Sequence, residues 1–285
     1  MANEIKSLST TLDDIIAPIV QEAMFVANER SIMRGLVKNF TVPQNAGKVL
    51  QVPFYPQQTA AALTEADDLT PSAISTTKKD ITLAQVGLMT NVSDLALNYS
   101  QSSVVADIGR LFGEAIATKL DKDLIGLFTG FSEGQGSAGA ELTIDEMFKA
   151  VAKLQTAAAP GPYVGVFHPK VMYQIKKAMT NTFGGASGNA LSLDITNEAM
   201  RNGYVGTIAG VQIFESSNVT VDGSDDSVGA IFAMDALGLA MGQDITIETQ
   251  RDASARATEI VGTATYGVSE LHDSYGVKLT ADSAL

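Results

Sequence analysis

The chain has 285 residues, of which 45% are apolar and 18% charged, a composition that predicts a folded globular protein and excludes a disordered one. It contains no cysteine, which excludes disulfide frameworks, thiolate metal sites and cysteine nucleophiles and suits folding in a reducing cytoplasm. The formal net charge is −13, and acidic groups outnumber basic ones in each of the segments 1–130, 131–245 and 246–285, which argues against tight binding to nucleic acid.

The N-terminal region predicts an arm and shows no targeting signal. No basic start precedes an apolar run, and no stretch reaches the roughly 18 apolar residues of a membrane span. Residues 1–47 carry apolar side chains at helix-like spacing that Pro18 interrupts, so we expect a short, kinked or partly extended arm. Its apolar face could pack into the core or on a neighbouring subunit.

Two stretches of alternating apolar residues predict the strands of a long β-hairpin over residues 48–88. The first stretch runs from Lys48 to Phe54 and the second from Lys79 to Met89. The segment between them, Pro56 to Thr77, is poor in large apolar side chains. Because so long an insert is uncommon inside a compact domain, we interpret it as a protruding, functional loop.

Residues 102–129 predict one long amphipathic helix, since their apolar side chains recur near a single stripe. Ser102 or Ser103 suits the N-cap position. At about 1.5 Å per residue the helix would be roughly 40 Å long, which exceeds most helices of globular domains. The glycine- and serine-rich segment from Gly130 to Gly139 follows, and its composition favours a flexible linker.

A second region mixes helices and strands. Thr143 and Glu146 form a capping box that predicts a helix start, and Pro169 suits the first turn of a further helix. Tyr163 to Phe167 predicts a buried strand between them, and Phe183 to Asn189 predicts a glycine-rich loop. Residues 197–202 could be helical. Further strands are predicted within residues 206–221, 230–233, 245–249, 259–265 and 275–280, so the fold class is α+β.

The motifs that could carry chemistry favour structural roles. Gly134, Gly136 and Gly139 match a dinucleotide-binding pattern, but they follow a helix instead of a strand. The two histidines, His168 and His272, have no ligand-spaced partners. We therefore predict no catalytic residue, no cofactor and no metal site. The paired acidic residues are interpreted as solvated loop or helix positions: Asp67 with Asp68, Asp121 with Asp123, and Asp225 with Asp226.

Three local segments, taken with the order of elements, resemble a known family. Val166 to Met172 resembles a strand–helix start, Gly206 to Ser216 a returning strand, and Tyr266 to Asp273 a final strand and turn. These segments are similar to parts of tailed-bacteriophage major capsid proteins, the Hong Kong 97-like family. The resemblance covers essentially the whole chain.

The resemblance implies a major capsid protein that self-assembles through hexamers and pentamers into an icosahedral head shell around the phage genome, in the host bacterial cytoplasm. The implied regions are an N-terminal arm (1–47), an extended loop (48–88), a peripheral domain (89–142 and 246–285) with a spine helix (102–129), and an axial domain (143–245). The expected inter-subunit contact residues are Phe54, Tyr55, Glu65, Asp67, Asp68, Lys78, Lys79, Phe183, Gly184 and Gly185.

The resemblance also implies partners. Many family members carry a cleavable N-terminal scaffolding segment, but a hairpin that starts near residue 48 leaves no room for one. The resemblance then implies either a separate scaffolding protein or a chain given after processing, and Met1 favours the separate scaffolding protein. A portal protein at one vertex, a possible decoration protein and loose, non-specific contact with packaged double-stranded DNA are expected too, and no membrane. The alternative is another phage structural protein, such as a tail-tube or decoration protein. The long helix over residues 102–129 argues against a tube protein, because tube proteins are typically smaller and dominated by β-strands.

Overall fold

A computed structural model describes residues 31–43, 45, 47–55, 73–95, 104–184 and 207–284, together with residues 23, 60 and 62. The helices with described bounds are α1 (Val104–Gly126), α2 (Ile144–Thr156) and α3 (Pro169–Gly184). Short 3₁₀ turns lie at Met33–Gly35, Leu127–Gly130, Met234–Ala236 and Asp273–Tyr275. The strands are β1 (Lys38–Thr41), β2 (Val49–Phe54), β3 (Thr77–Thr82), β4 (Ala84–Ser93), β5 (Gly134–Gly136), β6 (Tyr163–Phe167), β7 (Thr207–Ile208), β8 (Val211–Glu215), β9 (Asp226–Ala233), β10 (Leu237–Asp252), β11 (Ala257–Glu270) and β12 (Gly276–Asp282).

The described strands form three sheets. A four-stranded sheet has the order β1-β10-β11-β4, and a six-stranded sheet has the order β5-β12-β9-β6-β8-β7. Strands β2 and β3 pair only with each other, as an antiparallel hairpin. Because helices and mostly antiparallel strands are both present, the predicted α+β class is confirmed.

Helices α2 and α3 pack on the six-stranded sheet. The capping box at the start of α2 is formed as predicted, since the Thr143 hydroxyl accepts from the Glu146 amide at 3.3 Å and the Glu146 carboxylate accepts from the Thr143 amide at 2.8 Å. Pro169 is the first residue of α3, also as predicted. The buried side chains of this cluster include Met147, Leu154, Phe167, Val171, Met172, Ile175, Ile231 and Val277.

Helix α1 connects the two larger sheets. Its 23 residues extend over about 35 Å, so the long predicted helix is confirmed over the described range, while Ser102 and Ser103 lie outside the described residues. Phe112 packs with Ile260 of the four-stranded sheet, near the helix start. Leu124 packs with Phe232 of the six-stranded sheet, near the helix end.

The N-terminal arm is described at residue 23 and from residue 31 onward. Ala23 is fully buried in the cluster that joins α1 to the four-stranded sheet. The chain crosses α1 so closely there that a Cβ atom on Gly113 would lie 2.3 Å from the carbonyl oxygen of Ala23. Of the two alternatives for the apolar face of the arm, packing into the core is therefore the one that applies to Ala23, and packing on a neighbouring subunit is not.

The single strand predicted over residues 79–89 is wrong. Strand β3 ends at Thr82, β4 begins at Ala84, and only β3 belongs to the hairpin. Strand β4 pairs with β11 in the four-stranded sheet, and the Leu83 amide between the two strands donates to the carbonyl of Lys48 at 2.8 Å. Apolar alternation continues across the junction, so it does not reveal where the chain exchanges one partner strand for another.

The flexible linker predicted for residues 130–139 is also wrong, because residues 134–136 form β5. This edge strand pairs in parallel with β12, with Gly136 opposite Thr280. Gly136 has φ +74°, and a Cβ atom there would lie 2.2 Å from the Thr280 carbonyl oxygen. The glycine therefore permits a close approach of two backbones and does not mark a mobile segment.

We expect Gly136→Ala to lower the free energy of unfolding by roughly 2–4 kcal/mol, through positive-φ strain and the clash with the Thr280 carbonyl. Gly139 is a matched control, since it has φ +71° but open space within 4 Å of an added Cβ. Gly139→Ala should lower the free energy of unfolding only through positive-φ strain, by about 1–2 kcal/mol. Urea unfolding of the two variants measures the difference, and equal losses would remove the close-approach explanation.

Asp121 is buried on α1, so its predicted position on a solvated helix face is wrong. Its carboxylate accepts hydrogen bonds from the Ser31 hydroxyl at 2.7 Å, the Ile32 amide at 3.1 Å and the Met33 amide at 3.3 Å. Burial raises the pKa of Asp121, and these bonds partly oppose that rise. Asp123 is half-buried and accepts from the Tyr266 hydroxyl at 2.8 Å. Asp121 therefore holds the end of the N-terminal arm on α1.

Candidate assembly surface

The hairpin β2–β3 has two different faces. Because cross-strand partners share a face, the register divides its side chains into two sets. The outer face consists of Val49, Gln51, Pro53, Lys78, Asp80 and Thr82. The body face consists of Leu50, Val52, Phe54, Thr77, Lys79 and Ile81.

The body face packs on the hairpin's own subunit. Ile81 is fully buried and belongs to a cluster with Ala240 and Leu271, against which Leu50 and Phe54 are partly buried. A Cβ atom on Gly267 of β11 would lie 2.4 Å from the carbonyl oxygen of Thr82. The body face of the hairpin therefore gains its burial from its own subunit, whereas the outer face is exposed.

An aromatic stack joins the distal end of the hairpin to the body. The Phe54 ring meets the His272 ring edge-on at a centroid distance of 4.3 Å, and His272 lies 4.6 Å from Tyr275. Burial lowers the pKa of His272. The sequence showed no ligand-spaced partner for this histidine and did not reveal its contact on the hairpin, because nothing in the local pattern connects residues so far apart in the chain.

The predicted contact residues lie in different settings. Tyr55 lies beside the hairpin and is 71% exposed, and Lys78 lies on the outer face. Lys79 and Phe54 both lie on the body face, where Lys79 is exposed and Phe54 is partly buried. Helix α3 extends to Gly184, so the loop predicted from Phe183 begins too early. Glu65, Asp67, Asp68 and Gly185 lie outside the described residues, as does most of the predicted protruding loop and all of residues 197–202.

Several exposed large apolar side chains lie on or beside the hairpin and on β4, and others lie on the three helices. Besides Tyr55, the side chain of Ile74 next to the hairpin is 60% exposed, and that of Met89 on β4 is 59% exposed. Single exposed apolar residues are normal on any surface, but several in one region are typical of a protein–protein contact. Sequence reasoning found Tyr55 and missed Ile74 and Met89, since their exposure depends on tertiary packing.

The residues considered for chemistry have structural contacts. His168 accepts a hydrogen bond from the Lys170 amide through Nδ1 at 3.2 Å, at the start of α3, which confirms its predicted structural role. Over the described ranges, no group of three or more acidic or histidine side chains could hold a metal ion. Among the described helices, none has the length and apolar character needed to cross a membrane.

Several solved structures with the same fold come from phages. A chain from Mycobacterium phage Che8 is 22% identical with a TM-score of 0.63, and the match covers 82% of this chain and 84% of that one. The capsid of Ralstonia phage GP4 matches at 10% identity with a TM-score of 0.71 and 88% coverage of both chains. The capsid of Cyanophage P-SCSP1u matches at 17% identity with a TM-score of 0.67 and 87% coverage of both. At these identities the likeness establishes the fold, and the predicted Hong Kong 97-like capsid fold is confirmed.

The family assignment comes from a separate comparison. No curated protein matches this chain in sequence. Residues 76–278, well over half of the chain, match the family model described as phage capsid protein. The matched range includes β4, α1, α2 and most of both larger sheets. The chain therefore belongs to the phage capsid protein family and is a major capsid protein, a structural subunit of an icosahedral phage head.

Proposed function

We propose that this capsid protein builds its shell through hexamers and pentamers in which the outer face of the hairpin lies against an adjoining copy. The observation that carries the proposal is the hairpin's division into a body face on its own subunit and an exposed outer face, with Tyr55 and Ile74 beside it. Head-to-tail contacts of this kind close into rings. A stable contact buries roughly 800 Å² on each partner, so further surfaces of the subunit must contribute.

The four regions remain our proposal for the division of the chain. The six-stranded sheet with α2 and α3 supports an axial domain over residues 143–245, although β5 and β12 join that sheet from outside these bounds. The packing of helix α1 on the four-stranded sheet supports a peripheral domain over residues 89–142 and 246–285. We therefore propose that the final strand, β12, functions with the axial domain.

The proposed partners are other copies of the chain, a separate scaffolding protein, a portal protein at one vertex and packaged double-stranded DNA; a decoration protein is a further candidate. The net charge of −13 favours loose, non-specific contact with DNA, since too few cations are available to displace counterions from many phosphates. The absence of cysteine suits assembly in the host bacterial cytoplasm. We propose a purely structural role without catalysis.

We expect Tyr55→Asp to reduce shell formation by at least about tenfold, because one charge buried at a contact costs several kcal/mol per subunit. Tyr55→Phe keeps the apolar ring and should assemble like the original chain. Electron microscopy and sedimentation of the purified variants measure assembly. Thermal unfolding of the unassembled protein should be unchanged in both, since Tyr55 is 71% exposed.

Normal shells from Tyr55→Asp would contradict a contact at this residue. The remaining predicted contacts are tested in the same assay, with Lys78→Glu on the outer face and Lys79→Glu on the body face. The proposal expects Lys78→Glu to impair assembly while leaving the unassembled subunit intact. It expects Lys79→Glu to act mainly on the subunit itself, by changing the charges around His272 and Glu270.

A further inference from the structure

We infer that Phe54, His272 and Tyr275 form a pH-sensitive latch, which holds the distal end of the hairpin on its own subunit and releases it when His272 is protonated. The inference concerns the attachment of the hairpin within one subunit. It therefore stands or falls separately from the proposed contact between copies.

The latch has one rigid side and one side that can move. On the body, the Leu271 and His272 amides both donate to the carbonyl of Ala236, at 2.8 and 3.2 Å, and the Tyr275 amide donates to the His272 carbonyl at 3.2 Å. On the hairpin, Phe54 is the last residue of β2 and only partly buried. Within the described residues, no backbone hydrogen bond joins Phe54 to the body, so side-chain contacts of Phe54, with the His272 ring and with the cluster that contains Leu271, hold this end.

The charged groups that act on the His272 ring come from three elements: β3, β1 and the 3₁₀ turn that contains Asp235. Lys79 on β3 and Lys38 on β1 disfavour protonation, while Asp235 favours it. Asp235 is already paired with Lys38 at 2.7 Å. Asp235 nevertheless has the largest charge effect on the ring and favours protonation, but burial together with Lys38 and Lys79 outweighs it, and the pKa of His272 is lowered.

Two more acidic groups lie near the latch. The carboxylate of Asp273 accepts hydrogen bonds from Ser132, from the amide at 2.7 Å and from the hydroxyl. Burial raises the pKa of Glu270, with Asp273 adding to the rise and Lys79 opposing it. Glu270 therefore loses its charge early as the pH falls, and it offers no growing attraction to a charged His272.

A cavity beside the stack gives protons and water access to the ring. Its volume is about 300 Å³, and it is lined by Tyr55, Ser75, Thr77, Lys78, Lys79 and Leu271 together with the Phe54 and His272 rings. The cavity hydrates only part of the imidazole, because the Phe54 ring lies 4.3 Å away by centroid distance and covers another part, so full hydration of an imidazolium requires the Phe54 ring to move away. Protonation therefore favours the undocked hairpin.

The pH dependence of hairpin docking follows from the direction in which the pKa of His272 is shifted. The pKa of His272 is lowered below its ordinary value of 6.5, first by burial and also by Lys38 and Lys79, against the opposing effect of Asp235. A lowered histidine pKa means that the docked hairpin binds fewer protons than the undocked one. Docking is complete above pH 6.5 and weakens as the pH falls through the lowered pKa.

Hydrogen–deuterium exchange of the purified full-length chain tests the latch. After correction for the intrinsic rate, exchange in residues 49–54 and 77–82 should become several-fold faster between pH 7.5 and pH 5, while residues 144–156 of α2 serve as the internal reference. His272→Phe keeps an aromatic ring that cannot titrate, so this acceleration should disappear. His168→Gln removes the other histidine and should leave the acceleration intact.

An acceleration that persists in His272→Phe, or is absent from the original chain, would overturn the inference. Where His272→Phe does not fold, NMR titration of the two histidines in the original chain decides the matter. A lowered His272 pKa together with line broadening of Phe54 over the same pH range supports the latch. A His272 titration without any change at Phe54 excludes it.

Discussion

Replacing Phe128 with alanine should lower the free energy of unfolding by about 3–5 kcal/mol. This ring is fully buried where α1 meets the six-stranded sheet. It lies 6.4 Å from the Phe131 ring and 5.5 Å from the Phe232 ring, by centroid distance. Its removal leaves a cavity between elements that must remain in contact for α1 to connect the two sheets.

Phe148→Ala is the matched control for this change. Phe148 is on α2 and is 54% exposed, so its truncation should change stability by no more than about 0.5 kcal/mol. Urea unfolding of the unassembled subunit, followed by circular dichroism, measures both variants. Similar losses from Phe128 and Phe148 would show that the ring cluster is not the main connection between α1 and the sheet.

Asp121→Ala should lower the free energy of unfolding by about 2–3 kcal/mol. The substitution leaves the hydroxyl of Ser31 and the amides of Ile32 and Met33 without their acceptor. Part of this loss is offset, since burying the charged carboxylate is itself unfavourable. Limited proteolysis should also cut the N-terminal arm faster, because the arm has lost its anchor on α1.

Asp107→Ala is the control, since Asp107 is an exposed acidic residue on the same helix. It should cost about 0.5 kcal/mol or less and leave proteolysis of the arm unchanged. A loss as large as that of Asp121→Ala would mean that helix charge, and not the anchor, is responsible. Denaturant unfolding and proteolysis of the pair are run side by side.

The pH dependence of Asp121 gives a further check. Because the pKa of Asp121 is raised in the folded state, its contribution to stability is complete below the ordinary aspartate value and decreases as the pH rises through the raised pKa. The stability difference between the original chain and Asp121→Asn should therefore be largest at acidic pH. A difference that grows towards neutral pH would contradict the direction of the shift.

Local patterns predicted the elements that local interactions determine. The capping box at Thr143 and the proline at 169 involve residues within one helical turn, and both were located correctly from sequence. The stripe of apolar residues predicted α1, because its 23 residues repeat the pattern many times. The resemblance to capsid proteins then supplied an architecture that periodicity alone does not contain.

Three of the wrong predictions depend on partners that are distant in sequence. Strand β5 forms because β12 lies beside it, although its own glycine-rich composition is typical of a linker. The chain changes partner at Leu83 because β11 is available to β4. Asp121 is buried because the arm returns to α1 and covers it. None of these partners is visible in the neighbouring residues.

The assembly surface was predictable only in part. The exposed Tyr55 follows directly from a hairpin interpretation, and the alternation in β2 indicates two faces. Which face meets the body is decided by Ala240 and Leu271, far along the chain. Glu65, Asp67 and Asp68 stay predictions, because they lie outside the described residues.

Cryo-electron microscopy of particles assembled from the purified chain, with scaffolding protein where required, tests the central claim most directly. We predict closed icosahedral shells with fivefold and sixfold clusters, in which Val49, Gln51 and Lys78 of the outer face contact an adjoining subunit. Shells in which this face is open to solvent, or a chain that stays monomeric at high concentration, would contradict the account.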